Sequence, residues 1–187
     1  MNIPKSTPYF LILSLLVAGC LLISPNASAE ETSSGSSEEV SQLLSQIKTE
    51  AIALQDDTDV LVAWTRAKQV SSHSHAGKLT EIKEHVNQTG KLLDQLNKAR
   101  EGASTWQQQA IDRIYPLLKE LADNTEATMS HFSDNKSNIH LSVYEDYAKA
   151  GYTLANELAT LIRDYVDYGD HEAEFHRLQD KLQPNEG

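Results

Sequence analysis

The sequence feature that most constrains the fold is a stripe of residues near the C-terminus, spaced alternately three and four apart. In an α-helix these spacings place side chains on one face, the face that packs against neighbouring helices in a coiled-coil-type seam. The pattern therefore predicts a helix inside a bundle and says nothing about chemistry. Its members are Tyr144, Tyr147, Gly151, Leu154, Leu158, Leu161, Tyr165 and Tyr168.

Three earlier segments repeat this alternation and predict three further helices, over about residues 37–68, 75–100 and 104–132. The first has predicted core positions Val40, Leu44, Ile47, Ala51, Leu54, Thr58 and Leu61. The second has Leu79, Ile82, Val86, Thr89, Leu93 and Leu96. The third has Ile111, Ile114, Leu118, Leu121, Thr125, Thr128 and Phe132. Because no segment alternates like a strand, we predict an all-α, antiparallel up-down-up-down four-helix bundle with a short C-terminal helix.

Local signals predict where these helices begin and end. Serine followed three residues later by Gln or Glu is the capping-box pattern, and glycine often terminates a helix. The predicted starts are Ser104 with Gln107 and Ser142 with Glu145, and the predicted stops are Gly102 and Gly169. Acidic residues 56–59 are poor helix formers, but we expect the first helix to continue through them.

The N-terminal sequence predicts an export signal. An apolar run over residues 9–23 is followed by Pro25 and by Ala27-Ser28-Ala29, the small-x-small pattern that precedes signal cleavage. We predict cleavage after Ala29. An alternative remains open, because Val17-Ala18-Gly19-Cys20 resembles the lipobox of bacterial lipoproteins, in which the cysteine is acylated. The predicted location is periplasmic or secreted, or membrane-anchored if Cys20 is lipidated.

These signals divide the chain into a signal peptide (1–29), a flexible leader (30–37), a helical-bundle domain (38–183) and a disordered tail (184–187). Sixteen basic and 27 acidic residues give a net charge of −11. Removing the signal peptide takes away one lysine, and 15 − 27 gives −12. Such acidity disfavours nucleic acid as a partner, and we expect membrane contact only through a lipidated Cys20.

Residues that could perform catalysis or bind a cofactor do not form a recognisable pattern, so we predict a non-enzymatic protein without cofactor or metal. Among the seven histidines, His73, His75 and His85 could bring three imidazoles together, but solvated histidines are the simpler interpretation. No histidine follows a glutamate by three residues, as di-iron bundles require. Met129 could ligate a haem, although methionine in such a position usually fills a core.

Tyrosine is concentrated in the fourth predicted helix, which holds five of the seven tyrosines. They could form a core stripe whose hydroxyls reach buried polar partners. They could instead present an exposed aromatic face to a protein partner. The residues of this candidate partner-binding face are Tyr144, Tyr147, Tyr152, Tyr165 and Tyr168.

Several short runs in the second half of the chain resemble uncharacterised bacterial secreted or periplasmic helical-bundle proteins that carry no assigned activity. They are Trp106-Gln107-Gln108-Gln109-Ala110-Ile111-Asp112-Arg113-Ile114, Pro116-Leu117-Leu118, Leu121-Ala122-Asp123-Asn124-Thr125 and Asp164-Tyr165-Val166-Asp167-Tyr168. The resemblance implies a recurring fold unit and transfers no catalytic residues.

Two functions are compatible with these observations. The first is an exported interaction or structural module that binds an unknown protein partner. The alternative is a bundle carrier that holds a small apolar ligand, haem or a metal ion between its helices. The interior of the bundle discriminates between them, since a carrier needs a cavity of at least ~300 Å³.

Overall fold

A computed structural model describes the backbone of residues 27–183 and the side chains of residues 37–183. Cys20 and most of the predicted signal peptide lie outside the described residues, as does the predicted tail at 184–187. The described chain forms α1 (Ala27–Arg66), α2 (Ser72–Ala99), α3 (Thr105–Asp134) and α4 (Ser142–Leu182). Single turns of 3₁₀ helix follow α2 (Arg100–Gly102) and α3 (Lys136–Asn138). No strand occurs in residues 27–183, so the predicted all-α class is confirmed.

The four helices pack against one another, each with two extensive neighbours. α1 and α3 both pack between α2 and α4, and the α2–α3 pair packs least extensively. Ion pairs follow the same arrangement: the Lys48 ammonium lies 3.0 Å from the Asp167 carboxylate, and the Arg66 guanidinium lies 2.8 Å from Glu145. None of the helices in the described part of the chain is long and apolar enough to span a membrane.

The predicted core positions of the first three helices are confirmed, because every one of them is buried. α1 is also a single helix through residues 56–59, as expected. Its buried face combines aliphatic residues with two threonines, Thr58 and Thr65, whose hydroxyls donate to backbone carbonyls one turn back. Such bonds satisfy the hydroxyl without any partner from another helix.

The stripe predicted for α4 is only partly right. The buried face is instead Tyr144, Ala148, Gly151, Ala155, Leu158, Ala159, Ile162 and Val166. Tyr147, Leu154, Leu161 and Tyr165 are half-buried at its edge, and Tyr168 is 51% exposed. Small residues occupy the centre because they let the helices approach closely. A Cβ added at Gly151 would lie 2.8 Å from Oδ1 of Asn124 on α3.

Of the two predicted capping boxes, the structure forms one. Ser104 accepts from the backbone N–H of Gln107, whose side chain accepts from the Ser104 N–H, so this prediction is confirmed. The prediction at Ser142 is wrong, since α4 begins after Leu141 and no side chain caps it. Glu145 is unavailable for capping because its carboxylate pairs with Arg66 and Lys149.

The predicted helix stop at Gly169 is also wrong. α4 continues through it to Leu182, so residues 170–182 extend α4 and do not form a separate short helix. The glycine is needed for packing, because an added Cβ would lie 2.7 Å from the ring of Trp106. The indole N–H of Trp106 donates to Glu172 at 2.5 Å, which fastens the same stretch of α4 to α3.

The leader predicted to be flexible, residues 30–37, lies within α1, as does Ala29. Each residue added to an existing helix gains a backbone hydrogen bond, so polar residues can prolong a helix that packing has already established further along. Ser37 also has a tertiary contact, since its hydroxyl donates to the side-chain oxygen of Gln107 at 3.1 Å.

Candidate functional site: a buried histidine–tyrosine cluster

All four helices contribute to a cluster of rings at one end of the bundle, centred on His75. His75 lies in the first turn of α2 and is fully buried, as is Tyr144 in the first turn of α4. Nδ1 of His75 and the Tyr144 hydroxyl are 3.1 Å apart and share a hydrogen bond. The pair joins α2 to α4 at the point where both helices begin.

Four further rings surround this pair. The edge of Trp64, from the last turn of α1, meets His75 with ring centres 5.9 Å apart. Phe132 lies 5.9 Å from Tyr144, and His131 stacks on Tyr144 at 6.3 Å. His131 also contacts Tyr147, with ring centres 5.3 Å apart. Aromatic packing thus closes this end of the bundle. We call these six residues the ring cluster.

Two imidazole nitrogens in the ring cluster are buried without a hydrogen bond, Nε2 of His75 and Nε2 of His131. The backbone carbonyl of Trp64 lies near His75, but it makes no hydrogen bond of good geometry with Nε2. Buried polar atoms in folded proteins almost always have a partner, and an unmade bond costs about 1–3 kcal/mol. This end of the bundle therefore carries a local energetic cost.

Burial controls the charge of the cluster. The His75 pKa is lowered from its usual value, first by burial and then by the neighbouring His140, while the Trp64 carbonyl opposes both. Burial also raises the Tyr144 pKa well above its ordinary range. Both groups are consequently neutral at pH 7. Because the His75–Tyr144 pair is buried and neutral, protonating it should change the stability of the fold. The same burial makes the pair poorly suited to reaction with a substrate.

The opposite end of the bundle also buries a polar side chain, Gln107, with no exposed surface. Its amide nitrogen donates to the Ser37 carbonyl at 2.8 Å and to the Ser41 hydroxyl at 3.0 Å. Its oxygen accepts from the Ser104 N–H at 2.9 Å and from the Ser37 hydroxyl. Both donors and both acceptor sites of the amide are used, so Gln107 ties α1 to the start of α3.

The histidines that could have formed a metal site are kept apart. His73 is exposed, His75 lies in the ring cluster, and Nδ1 of His85 lies 2.7 Å from Glu50 on α1. The second nitrogen of His85 is 3.7 Å from Asp57, which also pairs with Lys78 at 2.7 Å. Within the described residues, no three histidine, cysteine or acidic side chains converge as metal ligands.

The five tyrosines of the predicted partner-binding face do not form one face, so that prediction is corrected. Tyr144 is buried in the ring cluster, and Tyr147 lies against His131. Tyr165 lies beneath the Arg113 guanidinium at 5.9 Å, and Tyr168 contacts Trp106. Tyr152 lies about 140° around the helix from Tyr147, at 100° per residue. The alternative interpretation, core packing with a hydroxyl on a buried polar partner, describes Tyr144 well.

Sequence reasoning missed both buried polar residues, although the sequence contained a signal for each. His75 lies four residues before Leu79, and Gln107 lies four residues before Ile111. Extending each helix's seam back by one step therefore places both side chains in the core. We did not assign His75 and Gln107 to the core because polar residues are usually exposed.

One space has walls from all four helices, and it is small. It lies beneath Thr58, Thr125 and Gly151 and amounts to about 10 Å³, about the least that a single water molecule needs. Larger spaces lie at the surface between helices. Two of them, of about 530 and 490 Å³, lie along α2 and α3 and share Val86 and Ala122. We call this continuous depression the α2–α3 groove.

Comparisons with known proteins add no relative. The chain matches no protein-family model, no curated protein and no solved structure. The resemblance to bacterial secreted helical bundles stays a prediction.

Proposed function

We propose that this chain is an exported, non-enzymatic interaction module: an antiparallel up-down-up-down bundle whose outer surface binds a protein partner. The packed core carries this proposal. A helical carrier needs a cavity of at least ~300 Å³ between its helices, whereas the space that all four helices line, beneath Thr58, Thr125 and Gly151, is about 10 Å³. Arg66, the last residue of α1, pairs with Glu145 near the start of α4, whereas Lys48, earlier in α1, pairs further along α4 with Asp167. This order supports the antiparallel arrangement.

The α2–α3 groove is the surface best suited to a partner. Its floor is apolar, with Val86, Leu93 and Leu118 buried beneath it and Met129 half-buried. Gly90 opens the α2 side, because an added Cβ there would touch nothing within 4 Å. A depression of this kind between two helices accepts the apolar face of an amphipathic helix.

Charge at the groove indicates the chemistry of the partner. Lys83 and Lys91 lie on the α2 side of the groove, and neither forms an ion pair with residues 37–183. Asp94 and Glu126 also line the groove, so its charge is mixed, and Lys83 and Lys91 are cations in it that no described acid pairs. The proposed partner segment is an amphipathic helix with acidic residues along one edge, which these lysines would attract.

Site-specific photocrosslinking in the producing bacterium tests this proposal. A photoreactive residue at Asn87, beside the groove, should trap a defined protein, whereas the same residue at exposed Thr153 on α4 should not. Replacing Lys83 and Lys91 by Glu should reduce the Asn87 product several-fold. Equal crosslinking at both positions, or no effect of charge reversal, would contradict the groove as a binding surface.

Export is tested by the mature N-terminus. Mass spectrometry of the protein from the producing bacterium should find a chain that begins at Glu30. A chain that begins at an acylated Cys20 would support the lipoprotein alternative, and an intact Met1 in the cytoplasm would exclude export. The same sample under native conditions tests the carrier alternative, since a carrier would show an added ligand mass.

A further inference from the structure

The last three turns of α4 carry apolar side chains that the described residues leave exposed. Phe175 is 64% exposed, Leu178 is 42% exposed and Leu182 is 79% exposed. They lie beyond the contact of Trp106 with Gly169 and Glu172, the last point at which α4 is fastened to α3. We call residues 171–182 the α4 tail.

The three apolar residues of the tail share one face of α4 with His171, on the side away from the buried face that ends at Val166. His171, Phe175, Leu178 and Leu182 are spaced four, three and four apart, which places them on one stripe of the helix. Residues 30–37 (EETSSGSS), at the start of α1, contain no aliphatic or aromatic side chain. Scattered apolar residues need no explanation, but a stripe in register is the signature of a helix with a partner.

The charges beside the stripe select both the partner and its direction. In heptad terms Phe175 and Leu182 occupy a positions, and His171 and Leu178 occupy d positions. Glu174 and Lys181 then occupy the two g positions, which face each other when two such helices run antiparallel. One g position is acidic and the other basic, so two identical tails match only when they run in opposite directions.

We infer that the α4 tail self-associates with the tail of a second copy in an antiparallel pair. Phe175 of one copy packs against Leu178 of the other, and His171 packs against Leu182. Glu174 of each copy pairs with Lys181 of the other, giving two symmetric ion pairs, as a two-fold interface requires. This inference does not rest on the α2–α3 groove or on export.

The stripe covers less than two heptads, so the interface is far smaller than the roughly 1,200–2,000 Å² of stable protein complexes. The pair therefore forms in a concentration-dependent manner, and the ion pairs make it weaken as salt rises. Its role is to bring two bundles together reversibly, with their α2–α3 grooves left free.

Sedimentation velocity of the protein purified from cells expressing the complete sequence tests the association. The expected result is a monomer–dimer equilibrium that shifts toward dimer as concentration rises. Phe175→Glu should weaken the dimer at least tenfold. Tyr115→Glu is the matched control, because Tyr115 is similarly exposed (55%) but lies at the groove. A monomer at all concentrations, or equal loss in both variants, would overturn the inference.

Charge exchange tests the direction. Glu174→Lys and Lys181→Glu should each weaken the dimer several-fold, because each creates two like-charge contacts. The double variant restores opposite charges and should recover most of the association. Circular dichroism checks that the helix persists, since Glu174 also pairs with Arg177 at 2.7 Å within its own chain. A double variant no tighter than the singles would exclude the antiparallel pairing.

Discussion

The two ends of the bundle each bury one polar side chain completely, and they treat it in opposite ways. Gln107 uses every donor and acceptor of its amide, through Ser37, Ser41 and Ser104. His75 makes one hydrogen bond to Tyr144 and leaves Nε2 without one. A satisfied polar group fixes how the helices align, whereas an unsatisfied one makes the fold sensitive to conditions. The Gln107 end thus holds α1 and α3 in one alignment, whereas the stability of the His75 end depends on pH.

The largest expected effect comes from removing the Gln107 hydrogen-bond network. Gln107→Ala should lower the free energy of unfolding by about 3 kcal/mol, because several hydrogen bonds worth about 1 kcal/mol each are lost and their buried partners are left unpaired. Urea denaturation measures this change. Gln109→Ala, at an exposed position two residues away, should change it by less than about 0.5 kcal/mol. Similar losses in both variants would show that the hydrogen-bond network contributes little.

At the other end, Tyr144→Phe should cost about 1–2 kcal/mol. The ring and its packing on Phe132 and His131 are kept, but Nδ1 of His75 loses its partner and both ring nitrogens become unsatisfied. The same denaturation experiment detects the change. Tyr168→Phe is the control, because its hydroxyl is solvent-exposed. A Tyr144→Phe variant as stable as the wild type would mean that His75 gains nothing from this bond.

Protonation of His75 should destabilise the fold by at most about 1.4 kcal/mol per pH unit. Its folded pKa lies below the usual 6.5, so between these two values the unfolded chain binds a proton that the folded chain does not. The free energy of unfolding therefore falls as the pH drops below 6.5. The neighbouring His140 also lowers the His75 pKa.

A variant isolates the contribution of His75 from those of other histidines. His75→Asn keeps a polar atom near the position of Nδ1 and removes the titration, so its stability should depend less steeply on pH between 7 and 5. Thermal melts of both proteins across this range give the comparison. The pairing of His85 with Glu50 is common to both and cancels. Identical pH profiles would show that His75 does not couple folding to protonation.

The smallest effect concerns the two serines predicted to cap helices, one near each end. Ser104→Ala should cost about 1 kcal/mol, because Ser104 caps α3. Ser142→Ala should cost almost nothing, because Leu141 occupies the N-cap position of α4. Melting temperatures of the two variants compare them directly. A larger loss at Ser142 would place the start of α4 one residue later than the structure does.

The sequence predicted the helices and three of the four buried faces because these depend on local spacing alone. It failed in α4, where large tyrosines suggested a stripe that alanines actually occupy. Residue size at a helix crossing depends on how closely the partner approaches, and Asn124 beside Gly151 is a tertiary contact that no local pattern contains. The predicted helix stop at Gly169 failed for the same reason, since Trp106, which packs on this glycine, lies 63 residues earlier in the chain.

The candidate site was harder to predict than the fold. The ring cluster joins residues from four helix ends, and its members are ordinary core residues taken one by one. The histidine pattern that attracted attention, His73 with His75 and His85, has members with three different surroundings. His75 is buried and His73, two residues away, is exposed. This difference arises only from the way the helix ends meet in the fold.

The placement of the two tryptophans gives each end its own optical reporter. Trp64 touches His75 in the ring cluster, while Trp106 lies on Gly169 beside the Gln107 network. The sequence contains no other tryptophan. Replacing either tryptophan by phenylalanine therefore leaves a single fluorophore at a known end. Emission during unfolding would then reveal which end of the bundle opens first.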